Sequence, residues 1–183
     1  MEKKIKHLRL AHKKLVKSDF SSLEQVDQIL DCNLTESNFQ GVKLKKIQIK
    51  HSDLSKVNLK KSRLINAHLS HSNLENCELE FCSMANSSIS RVNFENADLQ
   101  CSSLQSSVVK ESSFKKANLR WANLKDTFFQ STDFAEADLR NTNLANAKIL
   151  ECSLKGAIFN YHTTLPFSAD DALAKGMILC EEI

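Results

Sequence analysis

Glycine and proline are nearly missing from the chain, with three and one among 183 residues. That excludes a collagen-like protein and a loop-rich or disordered one, whose compositions lean on both. No run of eighteen apolar residues occurs, so nothing reads as a membrane-spanning helix. The opening Met1-Glu2-Lys3-Lys4-Ile5 has charge but no apolar stretch after it, and a secretory leader is not expected. There is no Cys-x-x-Cys pair among the six cysteines and no glycine-rich phosphate loop. Serines are abundant, but no histidine is paired with one as a nucleophile would need. A non-enzyme without cofactor or metal is expected.

What is present is a period of five. Every fifth residue from Leu34 to Phe159 is apolar, 26 in succession without a slip. Five fits neither the 3.6 of a helix nor the 2.0 of a strand. It requires a coil that turns a corner every five residues. Two residues before each of these centres stands Ala, Ser, Cys, Thr or Val in 25 of the 26 units, with Ile47 the one bulky exception. A position held to that size points into confined space. The residues flanking the centre, such as Asn118, Asp138, Lys125 and Glu136, are polar. Each unit therefore sends one large apolar and one small side chain inward and three outward. Cys32, Cys77, Cys82 and Cys152 take the small inward position, Cys101 points outward, and Cys180 lies in the tail. The thiols read as small hydrophobes in a reducing compartment.

The units Ala97-Asp98-Leu99, Ala117-Asn118-Leu119, Ala122-Asn123-Leu124 and Ala137-Asp138-Leu139 resemble the A-(D/N)-L-x-x signature of pentapeptide-repeat proteins. The resemblance implies an all-β solenoid, a right-handed quadrilateral parallel β-helix. Four units make a coil of twenty residues, so the repeat gives six and a half coils, roughly 31 Å at strand spacing. Centres twenty residues apart would stack as ladders: Leu34, Leu54, Leu74, Phe94, Phe114, Phe134 and Leu154 along one wall.

Three segments are expected: a helical N-terminal cap over 1–31, the β-helix over 32–161, and a helix-plus-strand cap over 162–183. Ile5, Leu8, His12 and Leu15 stand at helical spacing among lysines, and Ser21-Ser22-Leu23-Glu24 reads as a capping box opening a helix to about Leu30. At the other end Ser168 is the expected N-cap, with Asp170 and Asp171 in the first turn, and Gly176 follows the helix. Met177, Ile178 and Leu179 then have strand propensity and no further coil to join. They are expected to pair with a second copy, giving a C-terminal homodimer, as the family resemblance also implies.

Charge is uneven. Lys43, Lys45, Lys46, Lys50, Lys56, Lys60, Lys61 and Arg63 form a basic band with one acid, Asp53, among them, while Leu64 to Phe159 holds nine basic and eleven acidic residues. The band suits nucleic acid, an anionic membrane surface or an acidic protein. The outward ladder Phe81, Cys101, Trp121 and Tyr161, interrupted by Asn141 and flanked by Arg120 and Arg140, has the composition of a protein-contact site. Val108 and Phe128, with Leu150 near, form a second outward apolar group. His51 and His71, with His68 beside them, stack one coil apart but lack a third metal ligand and read as surface histidines.

The resemblance brings a function class: a protein-binding scaffold, best understood where members bind DNA gyrase and other type II topoisomerases and confer resistance to quinolones or toxins. Their acidic rods are taken to mimic DNA. This chain departs in its net charge of +3 and in lacking long loops between coils. A cytoplasmic location is expected. The alternatives are a bacterial effector secreted into a host cell, or nucleic-acid or membrane-surface binding through the basic band.

Overall fold

The computed structural model describes residues 8–23 and 25–181. They form a four-sided parallel β-solenoid. One wall is a continuous sheet of eight strands in chain order: β1 (Leu8–Ala11), β2 (Val26–Leu30), β3 (Gln48–Lys50), β4 (His68–Ser70), β5 (Ser88–Ser90), β6 (Val108–Lys110), β7 (Phe128–Gln130) and β8 (Lys148–Leu150). The register steps by twenty, pairing Ile49 with Leu69, Leu69 with Ile89, and so on to Ile149. This is the fourth wall. The other three are held by single bridges at the same step: Asp53 to Asn73 on the first, Asn58 to Glu78 on the second, Arg63 to Ser83 on the third.

The centres fill the interior. Leu54, Leu59, Leu64 and Ile49 are wholly buried, one from each wall. Phe94, Phe114 and Phe134 stack along the first wall at 4.8 and 5.3 Å between rings, and Phe129 meets Phe134 edge-on at 5.0 Å. Such contacts add about 0.5–1.5 kcal/mol each beyond area burial.

The small inward residues do more than save space. After the first three walls the chain mostly turns with an ordinary reverse-turn bond, such as Val57 N–H to the Leu54 carbonyl at 3.2 Å; Ser87 N–H, after the third, bonds instead to Ser107 Oγ at 3.0 Å. After the fourth wall the small residue's N–H likewise bonds to a hydroxyl one coil on: Cys32 to Ser52 Oγ, Ser52 to Ser72 Oγ, Val92 to Ser112 Oγ, at 3.1–3.2 Å. Elsewhere Ser62, Thr127 and Thr142 donate to buried carbonyls at 2.7–2.8 Å. An unpaired buried peptide group costs about 1–3 kcal/mol, so these hydroxyls are structural.

The N-terminal helices are replaced by coil. Residues 8–11 are strand, and β2 occupies the span expected to be helical after the capping box; residues 1–7 and Glu24 lie outside the described residues. Leu10, Leu15 and Phe20 keep the five-residue rhythm in a shifted frame, which the helical spacing of Leu8, His12 and Leu15 masks. Leu15 and Phe20 donate to the Asn33 and Asn38 carbonyls as regular centres do, and Phe20 stacks on Phe39 at 4.5 Å. Val26 and Ile29 are buried against the next coil, and that burial outweighs a local cap signal.

The C-terminal helix α1 (Ala169–Ala174) is capped by Ser168, whose hydroxyl accepts from Asp171 N–H. The strand after it does not lack a partner in its own chain. β10 (Ile178–Leu179) pairs in parallel with β9 (Ile158–Phe159), the last coil. Gly176, at φ 81°, turns the chain back, and Ile178 and Cys180 N–H bond to the Ala157 and Phe159 carbonyls at 2.8 Å. Met177 is buried beneath. The segment is thus a final rung of the same solenoid.

Two predictions follow from this interior. Ala117 is fully buried, so Ala117→Leu should cost about 1–3 kcal/mol by overpacking, and Asn118→Leu, pointing outward, under about half of that. Equal losses of melting temperature would overturn the inside–outside assignment. Burial pushes the Cys77 and Cys82 thiols up to about 12, while Cys101 is exposed. Iodoacetamide at pH 8 should therefore label Cys101 within minutes and spare Cys77 and Cys82 until the chain is unfolded, as peptide mass mapping would read.

Candidate functional site

The last outward residue of nearly every unit takes the left-handed backbone conformation. Among the described residues twenty-six non-glycine residues do so, Asn66, Asn76, Asn86, Asn96 and Asn146 among them, with Gly41 and Gly156 at equivalent corners. Asparagine and glycine suit that conformation, and a bulky side chain there is costly. Apart from His12, His51 and His71, Phe81 (φ 58°) and Trp121 (φ 57°) are the two aromatic residues so placed among the described residues. Their peptide N–H groups are anchored to the Gln100 and Arg140 carbonyls of the next coil, which fixes the strained backbone.

The side chains stand outward. Phe81 is 61% exposed and Trp121 49%. They occupy one ridge, between the second and third walls, two coils or roughly 9.6 Å apart, with Cys101 between them. The Arg120 guanidinium lies 4.5 Å from the Trp121 ring centre. Arg140, next along, is forked onto Asp138, Nη2 to Oδ2 at 2.6 Å and Nε to Oδ1 at 2.9 Å. Tyr161, 74% exposed, stands at the end of the ridge on a corner widened by one residue, since Asn143 pairs with Thr164 rather than 163. Buried Asn160 holds that corner, accepting from Asn141 N–H and from Thr163 Oγ1, both at 3.0 Å. All five expected contact residues thus flank or crown a single edge. The second apolar group is elsewhere: Val108 and Leu150 are exposed on the fourth wall, and Lys110 covers half-buried Phe128 at 5.9 Å.

The basic band separates by wall. Lys60 sits between Glu80 and Glu78 at 3.0 and 3.1 Å, and these carboxylates, Glu80 first, hold its pKa above the ordinary value. Lys56 lies on the edge between the first and second walls and Lys50 on the fourth. Lys43, Lys45 and Arg63 share the third wall, with Lys46 and Lys61 on its two edges. The sequence carried a further signal, unread until charges were sorted by position in the twenty-residue coil: Lys110 and Lys148 on the fourth wall and Lys125 on the third lie on that same side.

His51 and His71 stack as expected, 4.8 Å between rings. Arg91 reaches His71 Nε2 at 3.1 Å and is paired with Glu111 at 2.8 Å, which lowers the Glu111 pKa. A guanidinium occupies the place of a third ligand, and the described residues contain no group of three metal-ligating side chains. No described helix is long and apolar enough to cross a membrane.

A full-length plasmid-mediated fluoroquinolone resistance protein, QnrB1, is 12% identical, covering 96% of this chain and 94% of its own, with a TM-score of 0.46. HetL, a pentapeptide-repeat protein involved in heterocyst differentiation regulation in the cyanobacterium Nostoc sp. strain PCC 7120, is 21% identical over 83% of this chain and 87% of its own, TM-score 0.34. A thylakoid-lumen pentapeptide-repeat protein of Arabidopsis thaliana is 15% identical over 88% and 73%, TM-score 0.37. The comparison with curated proteins gives no match. The pentapeptide-repeat signature matches in eight copies over residues 32–70, 52–91, 62–100, 112–149 and 129–160. With that signature running along most of a solenoid built in five-residue steps, the chain belongs to the pentapeptide-repeat family.

Proposed function

We propose that the protein is a non-enzymatic protein-binding scaffold whose partner seats on the ridge of Phe81, Trp121 and Tyr161. The observation behind this reading is the strained, exposed placement of Phe81 and Trp121 at corners that asparagine fills elsewhere. The left-handed corner is common to the whole solenoid, and what singles these two out is a large apolar ring left exposed where Asn, Lys or Glu stands at other corners. Arg120 and Arg140 supply polar contacts beside the aromatic rings, a combination enriched at binding hot spots.

A type II topoisomerase, DNA gyrase first, is the partner to test, with quinolone or toxin resistance as the consequence. Imitation of DNA is not the mode proposed. Five carboxylates from Glu75 to Asp98 stand together on the first two walls, but Lys60 before them and Lys115 and Arg120 after them interrupt the charge, and Lys60 pairs with Glu78, so no continuous acidic strip runs the length of the rod. A homodimer through the C-terminal end also belongs to the proposal. β10 has a second edge not taken by β9, and Leu173 and Ile178 are exposed beside it. Light scattering should give a dimer at tens of micromolar for the full chain and a monomer for a chain ending at Lys175. A full-length monomer would defeat the dimer.

The ridge is tested by asparagine rather than alanine. Phe81→Asn with Trp121→Asn should keep the β-rich circular dichroism and raise the melting temperature by roughly 2 °C, as relief of about 0.5–1 kcal/mol would. The same variant should lose binding to immobilised gyrase and its effect on gyrase supercoiling with a quinolone present. Unchanged binding by the variant would remove the ridge from the site, and absence of gyrase binding by the native protein would remove this partner.

A further inference from the structure

The outward charges are segregated by wall in a way that net charge conceals. On the regular coils the first and second walls carry eight carboxylates, among them Asp53, Glu75, Glu78 and Asp138. From Lys43 to Leu150 the third and fourth walls carry none. Their charged groups are all cations: Lys43, Lys45, Lys50 and Arg63 at one end, Lys110, Lys125 and Lys148 at the other. The edge where these walls meet presents Lys46, Asn66, Asn86, Ser106, Asp126 and Asn146. Asp126 is its one carboxylate and accepts from Asn146 Nδ2 at 3.0 Å. Asp27, in the irregular first coil, accepts from Gln25 Nε2 at 2.7 Å, and Asp31, on the edge between the fourth and first walls, donates its backbone N–H to the Lys50 carbonyl at 3.0 Å.

We propose that the third and fourth walls bind the phosphate backbone of a nucleic acid duplex, lying along their shared edge. The geometry of the cations is the first ground. Lys43 and Lys45 alternate outward on one strand-like segment, about 6.6 Å apart, and Arg63 sits one coil from Lys43, about 4.8 Å away. Lys43, Lys45, Lys46 and Arg63 are exposed, and among the described residues none is held in an ion pair, unlike Lys60 on the second wall. Extent is the second ground. The two groups of cations bracket five coil steps, roughly 24 Å, about seven base pairs of duplex, with no charge on these walls between Arg63 and Lys110. A linear polyanion presents charge evenly over such a length, whereas a compact acidic protein patch does not.

The middle of the strip supplies the third ground. Ser70, Ser83, Ser88, Ser90 and Ser103 lie between the two groups of cations, and hydroxyls are common donors to phosphate oxygens. His68, Ser88, Ser90, Lys110 and the exposed Val108 line a shallow groove there. The basic third offers no exposed aromatic ring for stacking bases, which favours a duplex backbone over a single strand. No cluster on these walls is built to read base edges, so binding is independent of sequence. This inference uses residues apart from the Phe81 and Trp121 ridge and stands or falls without it.

The test is fluorescence anisotropy of the full chain with a labelled 24-base-pair duplex of mixed sequence. Neutralising about four phosphates gives a hundredfold rise in Kd between 50 and 200 mM salt. Lys43→Glu with Lys45→Glu and Arg63→Glu should weaken binding about a hundredfold or more at 50 mM salt, with circular dichroism and melting unchanged. The control, Lys115→Glu with Lys155→Glu on the first wall, should change it by about twofold or less. Asp126→Asn should tighten it severalfold, and a scrambled duplex should bind equally. No binding at 50 mM salt overturns the proposal. So does equal weakening by the control, which would mean that net charge alone attracts the probe. Tighter binding to poly-glutamate or to phosphatidylserine vesicles overturns it as well, by assigning the strip to an acidic protein or a membrane.

Discussion

The backbone register of twenty residues is the constraint on which everything else rests. Each coil satisfies its neighbour's peptide groups, as Leu54 does with Asn73 and Leu74 with Asn93, and the sum of such interfaces holds a solenoid together. That register can be kept only if every side of the coil has the same length. Hence the left-handed corner at each fifth residue, and hence the unbroken alternation of large and small inward side chains. The first is unfavourable for any L residue with a Cβ; the inter-coil bonds and the stacked interior offset it.

The register also converts a one-dimensional sequence into columns. Residues twenty apart become neighbours, so a surface property is written down a column rather than along a stretch. The aromatic ridge and the acid-free walls are both of this kind. Neither is a local motif, and each is distributed over more than sixty residues. The rod therefore presents three chemically distinct sides: a paired acid–base side, a cationic side and an aromatic edge between the second and third walls.

How much of this could be read beforehand follows from the same point. The centres from Leu34 to Phe159 were legible because their period is fixed by covalent geometry. The coils from Leu8 to Asp31 were not, because Leu8, His12 and Leu15 fit a helix as well as they fit a displaced solenoid frame, and only the burial of Val26, Ile29 and Phe20 against the next coil decides between them. The corner conformation of Phe81 and Trp121 left no local signal, since side chains of every class occupy such corners. The serine hydroxyls that replace a turn bond were hidden behind their size. The wall-by-wall division of charge was fully encoded in the sequence, and needed only the twenty-residue column as its frame.

The constant register has a kinetic consequence. Every inter-coil contact closes a loop of about the same twenty residues, with a chain-entropy cost of roughly 2.7 kcal/mol by the length-dependent part alone. No pair of coils is favoured over another by topology, so ordering can begin at any well-packed point, such as the phenylalanine stack of the first wall, and spread both ways as a zipper. Growth in one direction then meets the widened corner at Asn160 to Thr163. The extra residue there displaces the column by one. A displaced column is tolerated at the other end, where Leu15 and Phe20 still bond to Asn33 and Asn38, so the slip alone does not stop growth; the helix leaves the coil path, and its returning strand, Ile178 on Ile158, closes the last coil.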